Sequence, residues 1–199
     1  MMQFKPSPDL AYNCCLSAWW ENGFTDDELN AIIQMGEQLN PKPALVGYDA
    51  GETNEKIRSS NVSWINSEGW IADKLEYIAQ QLNGKYFGLD LWGFGEAFQY
   101  TTYKYTKKEK KIKQHYTWHM DQGPSTGSPR KLSLVLQLSD PKDYEGGDLE
   151  IMTGSDPEVR KKQRGIIHAF PSYVMHRVTP ITSGTRRTLV VWVSGPRLK

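Results

Sequence analysis

The run Arg130–Ser139, RKLSLVLQLS, constrains this chain more than any other stretch. Leucine takes every second position, at 132, 134, 136 and 138, and successive side chains of a strand point to opposite faces. One face is therefore apolar and belongs on a core. The other carries Ser133, Val135 and Gln137, which are small and partly polar. In a jelly roll that second face points into the barrel cavity, where a polar lining is costly unless something uses it.

The surrounding sequence supplies the rest of such a barrel. From about residue 85, short runs rich in β-branched, aromatic or alternating residues follow one another: YFGLDLW, EAFQYTTYKY, GDLEIM, GIIHAF and RTLVVWVSG. Gly93, Asp140-Pro141, Gly146-Gly147 and Ser183-Gly184 punctuate them. The first third reads as helical. Thr25-Asp26-Asp27-Glu28 has the form of a capping box, followed by Leu29, Ile32, Ile33 and Leu39 at near-helical spacing. A second helix is predicted over about 68–82, with Ile71, Leu75, Ile78 and Leu82 on one face and Asn83-Gly84 as its stop. The predicted fold class is mainly β with N-terminal helices, an antiparallel jelly roll backed by those helices.

The 199 residues contain no internal repeat and no low-complexity linker. One domain over 1–199 is predicted, with helical support over about 1–84 and the barrel core over about 85–197. A net charge of +1 gives no global reason for a polyanionic partner. The start, MMQFKPSPDL, lacks an apolar signal core, and no run approaches 18 apolar residues. A cytoplasmic protein without a membrane partner is the expectation. Cys14 and Cys15 are adjacent, cannot staple distant parts of the fold, and are expected to be reduced. The segment YTKKEKKIKQ, 105–114, holds five lysines and one glutamate. It reads as a solvated loop, and the sharper reading is a basic lip beside a binding site.

The chemistry gathers around HYTWHMD, 115–121. A zinc-protease helix would need H-E-x-x-H, but His115 is followed by Tyr116, and Tyr-Thr-Trp favours an extended chain. On a strand, His115 and His119 lie on the same side but on the order of 13 Å apart. His119 and Asp121, two apart, project from one face and can bite a single ion. A third ligand has two candidates. His168 lies within the apolar run GIIHAF, where a structural histidine fits better, and His176 lies at a strand end where a barrel mouth could open. Two histidines and a carboxylate make the facial triad of non-haem Fe(II) oxygenases, with positions left for a bidentate 2-oxo acid and O2. The distal carboxylate of such an acid needs a cation, and Arg186 heads the strand RRTLVVWV. Its guanidinium offers a bidentate fork, and Thr188 on the same side could add a hydroxyl.

The order His119-Met120-Asp121, His176, Arg186-Arg187-Thr188 resembles the 2-oxoglutarate- and Fe(II)-dependent dioxygenases, in their prolyl-4-hydroxylase-like, PKHD-type branch. RKLSLVLQLSDPKDYEGGDLEI and AFPSYVMHRVTPITSGTRRTLVVWVSG are similar to bacterial and phage-type hydroxylases of that branch, over roughly residues 96–196. The resemblance implies a double-stranded β-helix, iron held by His119, Asp121 and His176, and 2-oxoglutarate held by Arg186. It adds Tyr103 as a cosubstrate contact, with Tyr100 and Tyr105 as alternatives, and Gln137 as a weaker one. Ascorbate is a further expectation as an accessory reductant. The basic insertion after Tyr105 departs from the family pattern.

By resemblance, the expected activity is hydroxylation of a C–H bond with O2, giving succinate and CO2, on a peptidyl proline. A free amino acid or other small molecule is the alternative substrate. Nucleic acid is disfavoured, since only Lys107–Lys113 is basic. A non-catalytic jelly-roll binding domain is the alternative from another class, and it predicts loss of a ligand or of Arg186. A cupin-like zinc or manganese enzyme would leave Arg186 without a role. His115 reads as a supporting or loop residue, Trp118 and Trp192 as packing, and Arg177 and Arg187 as salt-bridge formers. Tyr116 is divided between cavity and core. Arg58 and Trp64, in IRSSNVSWI, could reach over the entrance.

Overall fold

The computed structural model describes residues 15–46, 52–105, 113–122 and 130–196. Four strands precede the second helix: β1 (Ala18–Trp20), β2 (Lys42–Pro43), β3 (Arg58–Ser59) and β4 (Asn61–Ile65). Then come β5 (Gly93–Phe94), β6 (Phe98–Lys104), β7 (His115–His119) and β8 (Arg130–Gln137). The last third adds β9 (Tyr144–Gly146), β10 (Leu149–Met152), β11 (Pro157–Val159), β12 (Ile167–Pro171), β13 (His176–Val178) and β14 (Ile181–Ser194). The helices are α1 (Asp26–Gln38) and α2 (Trp70–Leu82).

Helix α1 starts at the predicted capping box. The Thr25 hydroxyl accepts the Glu28 N–H at 3.3 Å, and the Glu28 carboxylate accepts the Thr25 N–H at 2.8 Å. Helix α2 buries Ile71, Leu75, Ile78 and Leu82 as its spacing predicts. Its end corrects the sequence reading. Asn83-Gly84 does not stop the chain, because Asn83–Phe87 continues as a π-helical turn that ends at Gly88, φ 61°. The Asn83 amide explains the longer path, accepting the Leu89 N–H at 2.8 Å and donating to its carbonyl at 2.9 Å. YFGLDLW is thereby a turn and loop rather than a strand. The first third is also less helical than predicted. NVSWI forms β4 and pairs residue for residue with β6, from Asn61 opposite Thr102 to Ile65 opposite Phe98. Five residues of β-favouring sequence are too short to register as periodic, and a partner strand makes them regular.

The strands form two antiparallel sheets that face each other as a double-stranded β-helix. The larger runs β1-β12-β8-β14-β6-β4-β2, with β5 and β9 also on β14, and the smaller runs β11-β10-β13-β7-β3. Leu132, Leu134, Leu136 and Leu138 are at most 1% exposed and share a core with Leu29, Ile32, Leu75 and Ile78 of the helices. On the inner face Val135 packs with Leu149, Ile151 and Phe170. Strand β14 changes partners along its length: its start pairs with β9, and the rest lies between β6 and β8. Gly184 marks the change, at φ 70°, where a Cβ would run into the Asp143 carbonyl oxygen. No helix among the described residues is long and apolar enough to cross a membrane. Cys14 and Lys107–Lys111 of the basic segment lie outside the described residues, and Cys15 is an exposed free thiol.

Candidate active site

Three elements deliver the predicted metal ligands to one point. His119 ends β7, His176 opens β13, and the two are directly opposite each other in the ladder. Asp121 lies in the bend after β7, where Ser172 accepts its N–H at 2.9 Å. Asp121 Oδ1 is 3.8 Å from His119 Nε2, and Oδ2 is 3.6 Å from His176 Nε2. All three ligand atoms fall within 4.8 Å of one another. Each imidazole is turned by a backbone carbonyl: Nδ1 of His119 donates to Thr117 O at 2.7 Å, and Nδ1 of His176 to Val174 O at 3.0 Å. A carbonyl can only accept, so the proton sits on Nδ1 and both Nε2 lone pairs converge beside the carboxylate.

The electrostatics suit a cation. Burial, followed by the neighbouring His176, pulls the His119 pKa down to about 3, leaving a neutral ring. Burial alone would raise Asp121, but the imidazoles of His176 and His119 and the Ser133 hydroxyl outweigh it. Its carboxyl is held below the usual range. Neutral imidazole and ionised carboxylate are the forms a metal requires.

The same cavity, of about 760 Å³, ends at Arg186. This side chain is 1% exposed, and its Nε and Nη2 have no hydrogen-bond partner. An unpaired buried guanidinium is costly, so the cavity presents a cation that lacks its anion. Tyr103 is directly opposite Arg186 in the β6–β14 ladder, with its ring 5.5 Å from the guanidinium carbon. Thr188 lines the cavity beside them. Of the alternatives to Tyr103, Tyr100 faces the other way and donates to Glu37 at 2.9 Å, and Tyr105 does not line the cavity. Gln137 is buried opposite Thr188, but its side chain is not part of the cavity wall.

The remaining histidines separate cleanly from this cluster. The His115 ring lies against carbonyls of Lys113 and Lys56 at 2.8 and 3.3 Å. His168 donates from Nε2 to Lys161 O at 2.8 Å and lines no part of the cavity. A β-bulge decides the place of Tyr116. Strand β13 advances two residues from His176 to Val178 while β7 advances three, from His119 to Tyr116. The extra residue brings Tyr116 to the cavity side, stacked on His119 at 3.5 Å with Arg58 over its ring at 4.6 Å. Trp192 corrects the packing assignment: it lines the cavity, with Trp64 at 6.3 Å and the Arg130 guanidinium 3.5 Å over its ring. Arg130 is paired with Glu96 at 2.6 and 2.5 Å. Arg177 and Arg187 form the expected ion pairs, with Glu150 at 2.6 Å and Glu37 at 3.0 Å. Position within a strand pointed to none of Arg130, Trp192 or the bulge.

The sequence model of the 2OG-Fe(II) oxygenase superfamily matches residues 98–194, the stretch that supplies every residue of this cluster and Arg186. Over that stretch, just under half of its length, the chain is similar to that superfamily. It is 36% identical over 80 residues to a PKHD-type hydroxylase of Idiomarina loihiensis, which is 40% of this chain and 37% of that protein. It is 47% identical over 62 residues to one from Hyphomonas neptunium, 31% of this chain and 28% of the relative. The matched stretch thus spans less than two fifths of those curated relatives. Among solved structures, a Pseudomonas putida prolyl-4-hydroxylase has a TM-score of 0.69 at 20% identity, covering 95% of this chain and 96% of that one. A prolyl hydroxylase from Trichoplax adhaerens, in complex with a hypoxia inducible factor peptide fragment, has a TM-score of 0.73 at 14% identity, with 92% and 84% covered. At these identities the likeness is one of fold.

Proposed function

We propose that this chain is a 2-oxoglutarate- and Fe(II)-dependent dioxygenase that hydroxylates a prolyl residue of a peptide or protein. One observation carries the reading. A single cavity holds a convergent His119, Asp121 and His176 and, at its buried end, a guanidinium with two unpartnered nitrogens. His119 and His176 would hold Fe(II) through Nε2 and Asp121 through its carboxylate. Three protein donors leave coordination positions for a chelating 2-oxo acid and for O2. When bound, iron and 2-oxoglutarate supply the oxidising chemistry, with O2 consumed and succinate, CO2 and hydroxylated product formed.

The chain's own residues orient and enclose. Arg186 would grip the distal carboxylate of 2-oxoglutarate, with Thr188 and Tyr103 offering hydroxyls beside it. Tyr116 and Trp192 wall the metal end and exclude water, and Trp64, 47% exposed, forms a rim against which a substrate chain can lie. A peptide substrate is supported by this rim and by the peptide bound to the Trichoplax adhaerens neighbour.

Succinate formation from 2-oxoglutarate, Fe(II) and air is expected to rise when proline-containing peptides are added. His176→Ala and Asp121→Ala are each expected to lower it by about 10³-fold or more, the worth of several kcal/mol of lost metal chemistry. Full turnover in either variant would remove the iron assignment. Equal stimulation by free proline would move the substrate to small molecules.

A further inference from the structure

Ser133 sits at the centre of β8, opposite Phe170 on β12 and Trp192 on β14, and is fully buried. Its Oγ is 2.7 Å from Asp121 Oδ2. Ser172, also fully buried, places its own Oγ 2.9 Å from that of Ser133. An ionised carboxylate only accepts, so the Ser133 proton is committed to Asp121. Ser133 Oγ must then accept from Ser172, and the chain of hydroxyls runs in one direction. Ser172 also holds the backbone of the same loop, its carbonyl accepting the N–H groups of Asp121 and Gln122 at 2.9 Å each. Its own N–H is fixed to Lys131 O at 2.9 Å, so β8 carries Ser133 and anchors Ser172 as well.

We propose that Ser133 and Ser172 are positioning residues that fix the Asp121 carboxylate for metal binding, Ser172 acting through Ser133. The inference rests on the iron-site reading above. Two hydroxyls present only to satisfy each other would have no need of the carboxylate. Here one carboxylate oxygen is tied before any metal arrives, which reduces the rotamer freedom lost on binding and fixes which way the carboxylate faces.

The test is Mn(II) affinity of the full chain, measured by electron paramagnetic resonance titration without cosubstrate, alongside the melting temperature of the metal-free protein. Ser133→Ala is expected to weaken Mn(II) binding by about 10- to 100-fold. Ser172→Ala is expected to weaken it about fivefold, the worth of one neutral hydrogen bond, and Ser172→Thr to restore it. The double variant should bind no more weakly than Ser133→Ala alone, because the second hydroxyl acts through the first. Additive losses, or a folded Ser133→Ala with Mn(II) affinity within about twofold of the parent, would overturn the proposal. If Ser133→Ala does not fold, the Ser172→Ala and Ser172→Thr pair decides by the same criterion. A parent protein that binds no Mn(II), like an Asp121→Ala control, would overturn the iron-site reading and this inference with it.

Discussion

The two ends of the cavity are both buried and polar, yet they are finished to different degrees. At the metal end each ligand has one atom with a protein partner aimed at it: Thr117 and Val174 carbonyls turn the imidazoles, and Ser133 holds the carboxylate. At the far end Arg186 keeps two nitrogens with none. The first end is shaped before anything binds. The second offers buried guanidinium nitrogens that no protein group satisfies, so an anion entering the cavity meets donors already in place. His168 offers a useful contrast. Its Nδ1 is also buried without a partner, but it lines no part of this cavity.

The largest effect is expected from Arg186→Met. Loss of a buried charge-assisted pair should raise the KM for 2-oxoglutarate by about 100-fold, corresponding to about 3 kcal/mol, while Mn(II) affinity changes little. The variant should melt no lower than the parent when both are ligand-free, since an unpaired buried cation has been removed. A large fall in metal-free melting temperature, or equal losses of metal and 2-oxoglutarate binding, would break the contrast between the two ends.

His168→Gln comes next. Burial pulls the folded pKa of His168 down to about 4, against about 6.5 unfolded. Between those values the unfolded chain binds a proton that the folded chain refuses. The stability contribution is therefore complete above about pH 6.5 and is lost as pH falls through about 4. The loss amounts to about 3 kcal/mol. Denaturant unfolding measured across that window should show a shallower acid limb in the variant. Superimposable limbs would mean that His168 is not the group responsible.

The smallest effect tests how tightly the arginine end is set. Gly147 has φ 59°, and a Cβ there would lie 3.1 Å from Arg186 Cδ and 3.2 Å from Ile181 Cδ1. Gly147→Ala is expected to cost about 1–2 kcal/mol in backbone strain and to raise the 2-oxoglutarate KM about threefold, with Mn(II) affinity unchanged. A shift in metal affinity alone would mean that the two ends are mechanically coupled.

Much of this was legible in one dimension. Alternation along RKLSLVLQLS separated a leucine face, which lies in the core, from an inner face on which Val135 lines the cavity and Ser133 and Gln137 do not. The two-residue spacing of His119 and Asp121 put both on one side of an extended chain, and the head of a long apolar strand offered Arg186. Such readings are possible because strand periodicity and side-chain chemistry are local properties. Regions where local preference was weak or overridden were misread. NVSWI became a strand because β6 was available to pair with it, and Asn83 carried a helix end past the glycine expected to stop it.

What the sequence determined, then, is which chemical groups the chain has and which face of its own strand each occupies. Only the tertiary structure decided which groups meet. The ladder set His176 opposite His119, an extra residue in β7 turned Tyr116 onto that imidazole, and antiparallel pairing with β6 set Tyr103 beside Arg186. The physical reason is that pairing register and bulges are settled by the burial of whole faces against one another. That burial also holds the Arg186 guanidinium in the barrel without a partner of its own.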